Sequence, residues 1–260
     1  MNLSLSNLCW DFESIDAYEL LKGNNIEFIE LSLMKIFHDW DFIDKKKILN
    51  LKKQLSDYGL RVSSLQSIFY KKPLNMFNDS KEFSDHFKSV IEHSVDLGCQ
   101  YIVYGSPRTR TLNDLEIDRA EDRFIQIFDE LSDFNKDVLL GIEPNPEYYN
   151  CYFLNTHEKI KHSLGKLNRD NVVFHYDLAC ISLSGDDPHK IYLQELDNLR
   201  HVHISCKDLK SINNDEQANK FVTKIIQKNS CTYSLEMLNL SKEEITNCIG
   251  KIREWRNDGV

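Results

Sequence analysis

Eight times along this 260-residue chain a short apolar run gives way to a longer stretch of helical periodicity. The runs Leu3 to Cys9, Ile26 to Leu31, Leu60 to Phe69, Tyr101 to Tyr104, Val138 to Glu143, Val172 to Asp177, Val202 to Ser205 and Thr232 to Glu236 read as strands. Between and after them, Phe12 to Lys22, Ile43 to Tyr58, Ser80 to Leu97, Asn113 to Phe134, Thr156 to Leu167, Asp187 to Leu196, Glu216 to Gln227 and Ser241 to Trp255 read as helices. Local signals agree. Gly98 stands where a helix C-cap needs it, Pro188 fits a first turn, and Ser241-x-x-Glu244 is a capping box.

Repeated strand–helix units imply parallel strands, because each connection is a helical crossover. Eight of them suit a closed (β/α)8 barrel. An open doubly wound sheet normally carries a Gly-rich phosphate loop after its first strand, and none is present. No linker or charge block divides the chain, so 1–260 is expected to be one barrel domain.

In such a barrel the chemistry sits where strands end at their C-terminal face. The fifth strand stops on Glu143, and Pro144 prevents it from continuing. The sixth ends at Asp177, the seventh carries His201 and His203 on one face, and the eighth ends at Glu236. Asp177 lies 34 residues beyond Glu143, His203 26 beyond Asp177, and Glu236 33 beyond His203, about one βα unit each. Three carboxylates and an imidazole would converge at the mouth. Such acids repel unless a proton or cation lies among them. One divalent ion (Mn, Co, Mg or Zn) suits that donor set.

Composition narrows the partners. Lys and Arg total 32 against 41 Asp and Glu, a net charge of −9 that disfavours a nucleic-acid partner. Hydrophobic residues at 41% supply a substantial core. Seven cysteines without a C-x-x-C pair read as reduced, mostly buried thiols. No apolar run reaches membrane-spanning length, and Met1-Asn2-Leu3-Ser4-Leu5 lacks a signal peptide's basic start, so a cytoplasmic protein is expected.

The chain resembles the xylose-isomerase-like barrels, which include sugar and sugar-phosphate isomerases and epimerases and an apurinic endonuclease branch. The carriers are Ile29-Glu30-Leu31 with Trp40, Ser64-Leu65-Gln66-Ser67 with Met76-Phe77, and Tyr104-Gly105-Ser106-Pro107-Arg108. They continue through Ile142-Glu143-Pro144-Asn145-Pro146 with Tyr149, Phe153 and Asn155, then His175-Tyr176-Asp177, His203-Ile204-Ser205 and Leu235-Glu236. The resemblance implies a metal held by Glu143, Asp177, His203 and Glu236. It also implies proton transfer at a sugar carbon through an enediolate, with Glu143 and Glu236 as the acid/base pair. A homodimer would be in keeping with it. Many epimerases of this group have a histidine three residues after the strand-six acid; this chain has Cys180, and Lys207 and Lys210 rather than an arginine follow His203.

Substrate contacts are expected from Gln66, Arg108, Asn145, His175 and Lys207, with a small sugar or sugar phosphate as partner. Arg110 and Asn155 are further candidates, His175 and His201 are candidate supports for the ligands, and Trp10, Trp40 and Phe69 are candidates for an apolar wall. Two other functions fit the same barrel. One is metal-dependent phosphodiester hydrolysis of the apurinic-endonuclease kind, for which the early strands offer only Asn7, Glu30 and Gln66 and no histidine. The other is a non-catalytic sugar-binding barrel.

Overall fold

The computed structural model describes residues 2–225 and 231–257. In order these form β1 (Asn2–Ser6), α1 (Ser14–Gly23), β2 (Phe28–Leu31), α2 (Leu33–Phe37), α3 (Lys45–Asp57), β3 (Arg61–Leu65), α4 (Ser80–Leu97), β4 (Tyr101–Tyr104) and α5 (Ile117–Phe134). The second half contains β5 (Leu139–Ile142), α6 (His157–Leu167), β6 (Val172–Phe174), β7 (Tyr176–Asp177), α7 (Leu178–Leu183), α8 (Pro188–Glu195), β8 (His201–Ser205), α9 (Glu216–Ile225), β9 (Thr232–Glu236) and α10 (Lys242–Asn257).

All strand pairs are parallel, in the order β6-β5-β4-β3-β2-β1-β9-β8-β7. The two ends of that order are halves of one stave, interrupted only at His175. β6 pairs with β5 and β7 with β8, so the sheet closes through this split stave into the expected (β/α)8 barrel.

Amphipathic helices cover the wall. Helix α4 buries Phe83, Phe87, Val90 and Ile91, and α5 buries Phe124, Ile127, Phe128 and Leu131. Phe87 and Phe128 meet edge to face at 5.7 Å, locking the two helices together. Each such ring contributes about 1.5–3 kcal/mol on leaving water. α4 ends at Gly98, whose φ of +80° is the left-handed cap that glycine adopts without strain. Trp10, Trp40 and Phe69 are buried as well; Phe69 stacks on Phe83 at 4.4 Å, so it belongs to this packing.

Several boundaries differ from the sequence reading. The first strand stops at Ser6, and Asn7–Cys9 form a 3-10 turn. Strand three stops at Leu65, and α5 begins at Ile117 rather than Asn113. Two short helices, α2 and α7, add to the eight expected from the sequence. The expected Glu216 to Gln227 helix is α9 as far as Ile225; Gln227 lies outside the described residues. Between Ile29 and Glu30 the β2–β3 register shifts by one residue, leaving Ser63 as the extra one. All seven cysteines are buried and free, and among the described residues no helix is long and apolar enough to cross a membrane.

Candidate metal centre

Four side chains from four staves meet at the C-terminal mouth. Glu143 follows β5 and Asp177 ends β7, directly opposite His203 of β8; Glu236 ends β9 opposite Ser205. One ligand atom from each lies within 4.8 Å of the others. His203 Nδ1 stands 3.1 Å from Glu236 Oε2, 3.3 Å from Glu143 Oε1 and 3.5 Å from Asp177 Oδ2, yet makes no hydrogen bond. Glu143 and Glu236 keep 9% and 8% exposure, so the cluster meets solvent only at its rim.

Each member is held from behind. Asn145 Nδ2 donates to Glu143 Oε2 at 3.1 Å. Asp177 caps α7 by accepting from the Cys180 amide at 2.6 Å through Oδ1, and accepts from Ser205 Oγ at 2.7 Å through Oδ2. His203 Nε2 is 2.9 Å from Glu30 Oε1. Glu30 is fully buried on β2 and also accepts from Ser64 Oγ at 2.7 Å and Ser234 Oγ at 2.6 Å.

Burial is the first influence on every titratable group here. It drives Glu236 up to about 7, aided by Glu143 and Asp177 and opposed by the imidazole of His203. Glu143 also rises through burial and the nearby Asp177 carboxylate, against the pull of His203 and Asn145. Burial alone would favour a neutral His203, but the carboxylates of Glu30 and Glu236, with those of Asp177 and Glu143 close to its ring, hold its pKa well above the usual value. Glu30 runs the other way: burial is overruled by His203 and His201, and its carboxyl falls to about 2. Burial lowers His175 well below its ordinary value and takes His201 to about 4.

Three carboxylates crowd one unbonded imidazole nitrogen, an arrangement that a divalent cation stabilises. Three hard oxygens and a borderline nitrogen fit Mn²⁺, Co²⁺, Mg²⁺ or Zn²⁺. The residues present therefore fit a metal, and Glu143, Asp177, His203 and Glu236 would hold it.

The other candidates fall into two groups. Asn145 and His175 are buried beside Glu143, and Gln66 is buried just past the end of β3. Gln66 Nε2 donates to Ser6 Oγ at 2.7 Å and its Oε1 accepts from Ser67 Oγ at 3.0 Å. His175 Nδ1 is 3.2 Å from the Tyr101 hydroxyl, while its Nε2 has no hydrogen bond and lies 3.9 Å from Glu143 Oε1. Arg108 and Lys207 are exposed on the loops after β4 and β8, and the Lys207 ammonium sits 4.2 Å over the Tyr148 ring. Asn155 is buried between Lys159 and Glu147. Cys180 is buried on α7, behind Asp177.

Arg110 is completely buried, and its guanidinium donates to the backbone carbonyls of Gly105 at 2.7 Å and Glu143 at 3.1 Å. It braces the loop that carries Glu143. Ser64, Tyr101, Ser205 and Ser234, which touch Glu30, His175 and Asp177, carry no expected role from the sequence. Their strand alternation put them on the inward face, and that signal was available.

The fold and site thus define a metal-competent (β/α)8 barrel. The xylose isomerase-like TIM barrel model matches residues 18–222, and the chain belongs to that family. No curated protein matches the sequence. Among solved structures, D-psicose 3-epimerase crystallised in the presence of D-fructose superposes with a TM-score of 0.75 at 13% identity, covering 99% of this chain and 98% of that one. AP endonuclease, family 2 from Brucella melitensis gives 0.76 at 16% identity, covering 94% and 96%. The IolI protein with a binding zinc atom gives 0.69 at 17% identity, covering 100% and 98%. At these identities the likeness is one of fold.

Proposed function

We propose that the protein is a divalent-metal-dependent isomerase or epimerase of a sugar or sugar phosphate. The observation that carries this reading is His203 Nδ1, buried and without a hydrogen bond, facing Glu143, Asp177 and Glu236 at 3.1–3.5 Å. A metal held there supplies Lewis acidity toward a carbonyl and its neighbouring hydroxyl. Glu143 Oε1 and Glu236 Oε2 both lie within 3.3 Å of one nitrogen, so a substrate carbon that reaches one carboxylate is close to the other. One glutamate removes the proton α to the carbonyl and the other returns it, passing through an enediolate. Asn145 orients the Glu143 carboxylate. His175 backs that carboxylate from the barrel interior, and Gln66, Arg108 and Lys207 contribute substrate contacts from the neighbouring loops. The psicose epimerase and zinc-bearing relatives support this reading by fold.

Bound metal in the purified protein, together with deuterium uptake from solvent into carbon across a panel of aldoses, ketoses and their phosphates, tests it. Wild type should retain about one divalent ion per chain, and Glu236→Gln and His203→Ala should lose it. Full metal retention in both variants removes the proposed ligands, and metal binding without exchange on any sugar removes the chemistry. Cleavage of an abasic DNA duplex would instead favour the hydrolytic reading that the endonuclease relative suggests.

A further inference from the structure

We propose that Glu30 is the positioning residue of the centre: it fixes which nitrogen of His203 faces the ligand cluster. The proposal rests on the metal reading above and adds a residue for which that reading has no role.

Glu30 lies between Ile29 and Leu31 on β2 and is fully buried. A buried carboxylate without partners is strongly destabilising, and this one has three partners from three other strands. Ser64 Oγ of β3 and His203 Nε2 of β8 reach Oε1 at 2.7 and 2.9 Å, and Ser234 Oγ of β9 reaches Oε2 at 2.6 Å. Ser64 is steadied by His201 Nε2 at 2.9 Å. The register shift at Ile29/Glu30 aligns Glu30 with Ser64 rather than Ser63. Without it the serine facing Glu30 would be offset by one residue.

The consequence is directional. An ionised carboxylate only accepts, so the nitrogen facing Glu30 carries a hydrogen. In a neutral ring that leaves the lone pair on Nδ1, the atom 3.1–3.5 Å from three other carboxylates. A ring held in the opposite tautomer would point a lone pair at Glu30 and present an N–H where a ligand atom is required. A carboxylate behind an imidazole also raises its basicity as a donor; loss of such a partner typically costs ~10–100-fold in metal affinity.

Two measurements on the full-length protein test this, with Zn²⁺ as the probe. In zinc-loaded, 15N-histidine-labelled wild type, long-range proton–nitrogen correlation should show the His203 hydrogen on Nε2 and Nδ1 shifted as a metal ligand, with His203→Ala assigning the signals. A hydrogen on Nδ1 overturns the proposal whether or not any variant folds. In Glu30→Gln the side chain keeps its shape and loses its charge, so zinc affinity should fall ~10–100-fold with the thermal midpoint nearly unchanged. Wild-type affinity in a folded Glu30→Gln protein overturns the inference and leaves the metal site standing. Failure of wild type to bind zinc removes both.

Discussion

Gly105 and Glu143 share one space: a Cβ at position 105 would stand 2.0 Å from Glu143 Oε2. The absent side chain after β4 is what lets the carboxylate of the next strand turn toward His203. The obstructed atom is the end of a flexible side chain, so the strain of a methyl group is relieved by moving that carboxylate rather than the backbone. Gly105→Ala should therefore leave the thermal midpoint within a few degrees of wild type. It should weaken divalent-metal binding about 10-fold or more, a split that calorimetric titration with Mn²⁺ beside a melting curve resolves. A large loss of stability with intact binding would contradict it.

A metal that binds only the folded chain stabilises it by mass action. At 100 times its dissociation constant the gain is about 2.7 kcal/mol. Unfolding monitored with and without Mn²⁺, Co²⁺ or Zn²⁺ should show the midpoint rise with at least one ion and fall back on chelation. His203→Ala should show no rise.

Arg110 serves the site through the main chain. Its guanidinium donates to the carbonyls of Gly105, Glu143 and Leu154. Replacing it with leucine leaves these acceptors without that donor, at about 1–3 kcal/mol for each group left unpaired. Arg110→Leu should lose about 3 kcal/mol or more by urea denaturation, and Arg110→Lys should recover only part, because a point ammonium does not reproduce the fork. A stability unchanged in both variants would show that the loop is held by other means.

Away from the mouth, Glu195 on α8 is buried and binds His157 Nε2 at 2.9 Å and Lys161 Nζ at 3.0 Å. Burial pushes its carboxyl up, but the hydrogen bonds and charges of His157 and Lys161 overrule it and hold the pKa below the ordinary value. A depressed folded-state pKa means the unfolded chain takes up the proton first as pH falls. The stabilisation is thus present above the unfolded carboxyl value of about 4.5 and lost as pH drops through the folded one. Glu195→Gln should cost about 1–2 kcal/mol at pH 7. Its stability should also decline less steeply than wild type below pH 4.5, as parallel denaturation curves from pH 3 to 7 would reveal.

The four side chains that cluster at the mouth were legible because each stops or punctuates an apolar strand one βα unit after the last, and repetition converts a common local pattern into an uncommon global one. Closure into a barrel followed from the same count. What stayed hidden depended on neighbours. Ile29-Glu30-Leu31 looks like half-buried alternation, and only the partners Ser64, His203 and Ser234 show that its acid points inward. Arg110 reads as an anion-binding guanidinium until the carbonyl of Glu143 is seen beneath it. Helices α2 and α7 span five and six residues, too few for a periodic signal. The interruption at His175 leaves no mark in Val172 to Asp177, because it arises from two different strands claiming the two halves.

That interruption makes the wall unevenly stitched. Backbone pairing between β5 and its neighbour runs out at Ile142 and Phe174, with one further bond from the His175 amide to the Ile142 carbonyl. Just above, Glu143 bonds back to Tyr104 and Asp177 pairs forward to His203. Glu143 and Asp177 therefore face each other across an unlaced seam, each anchored to a different flank. The two carboxylates can thus move apart along that seam with no rung of the sheet undone.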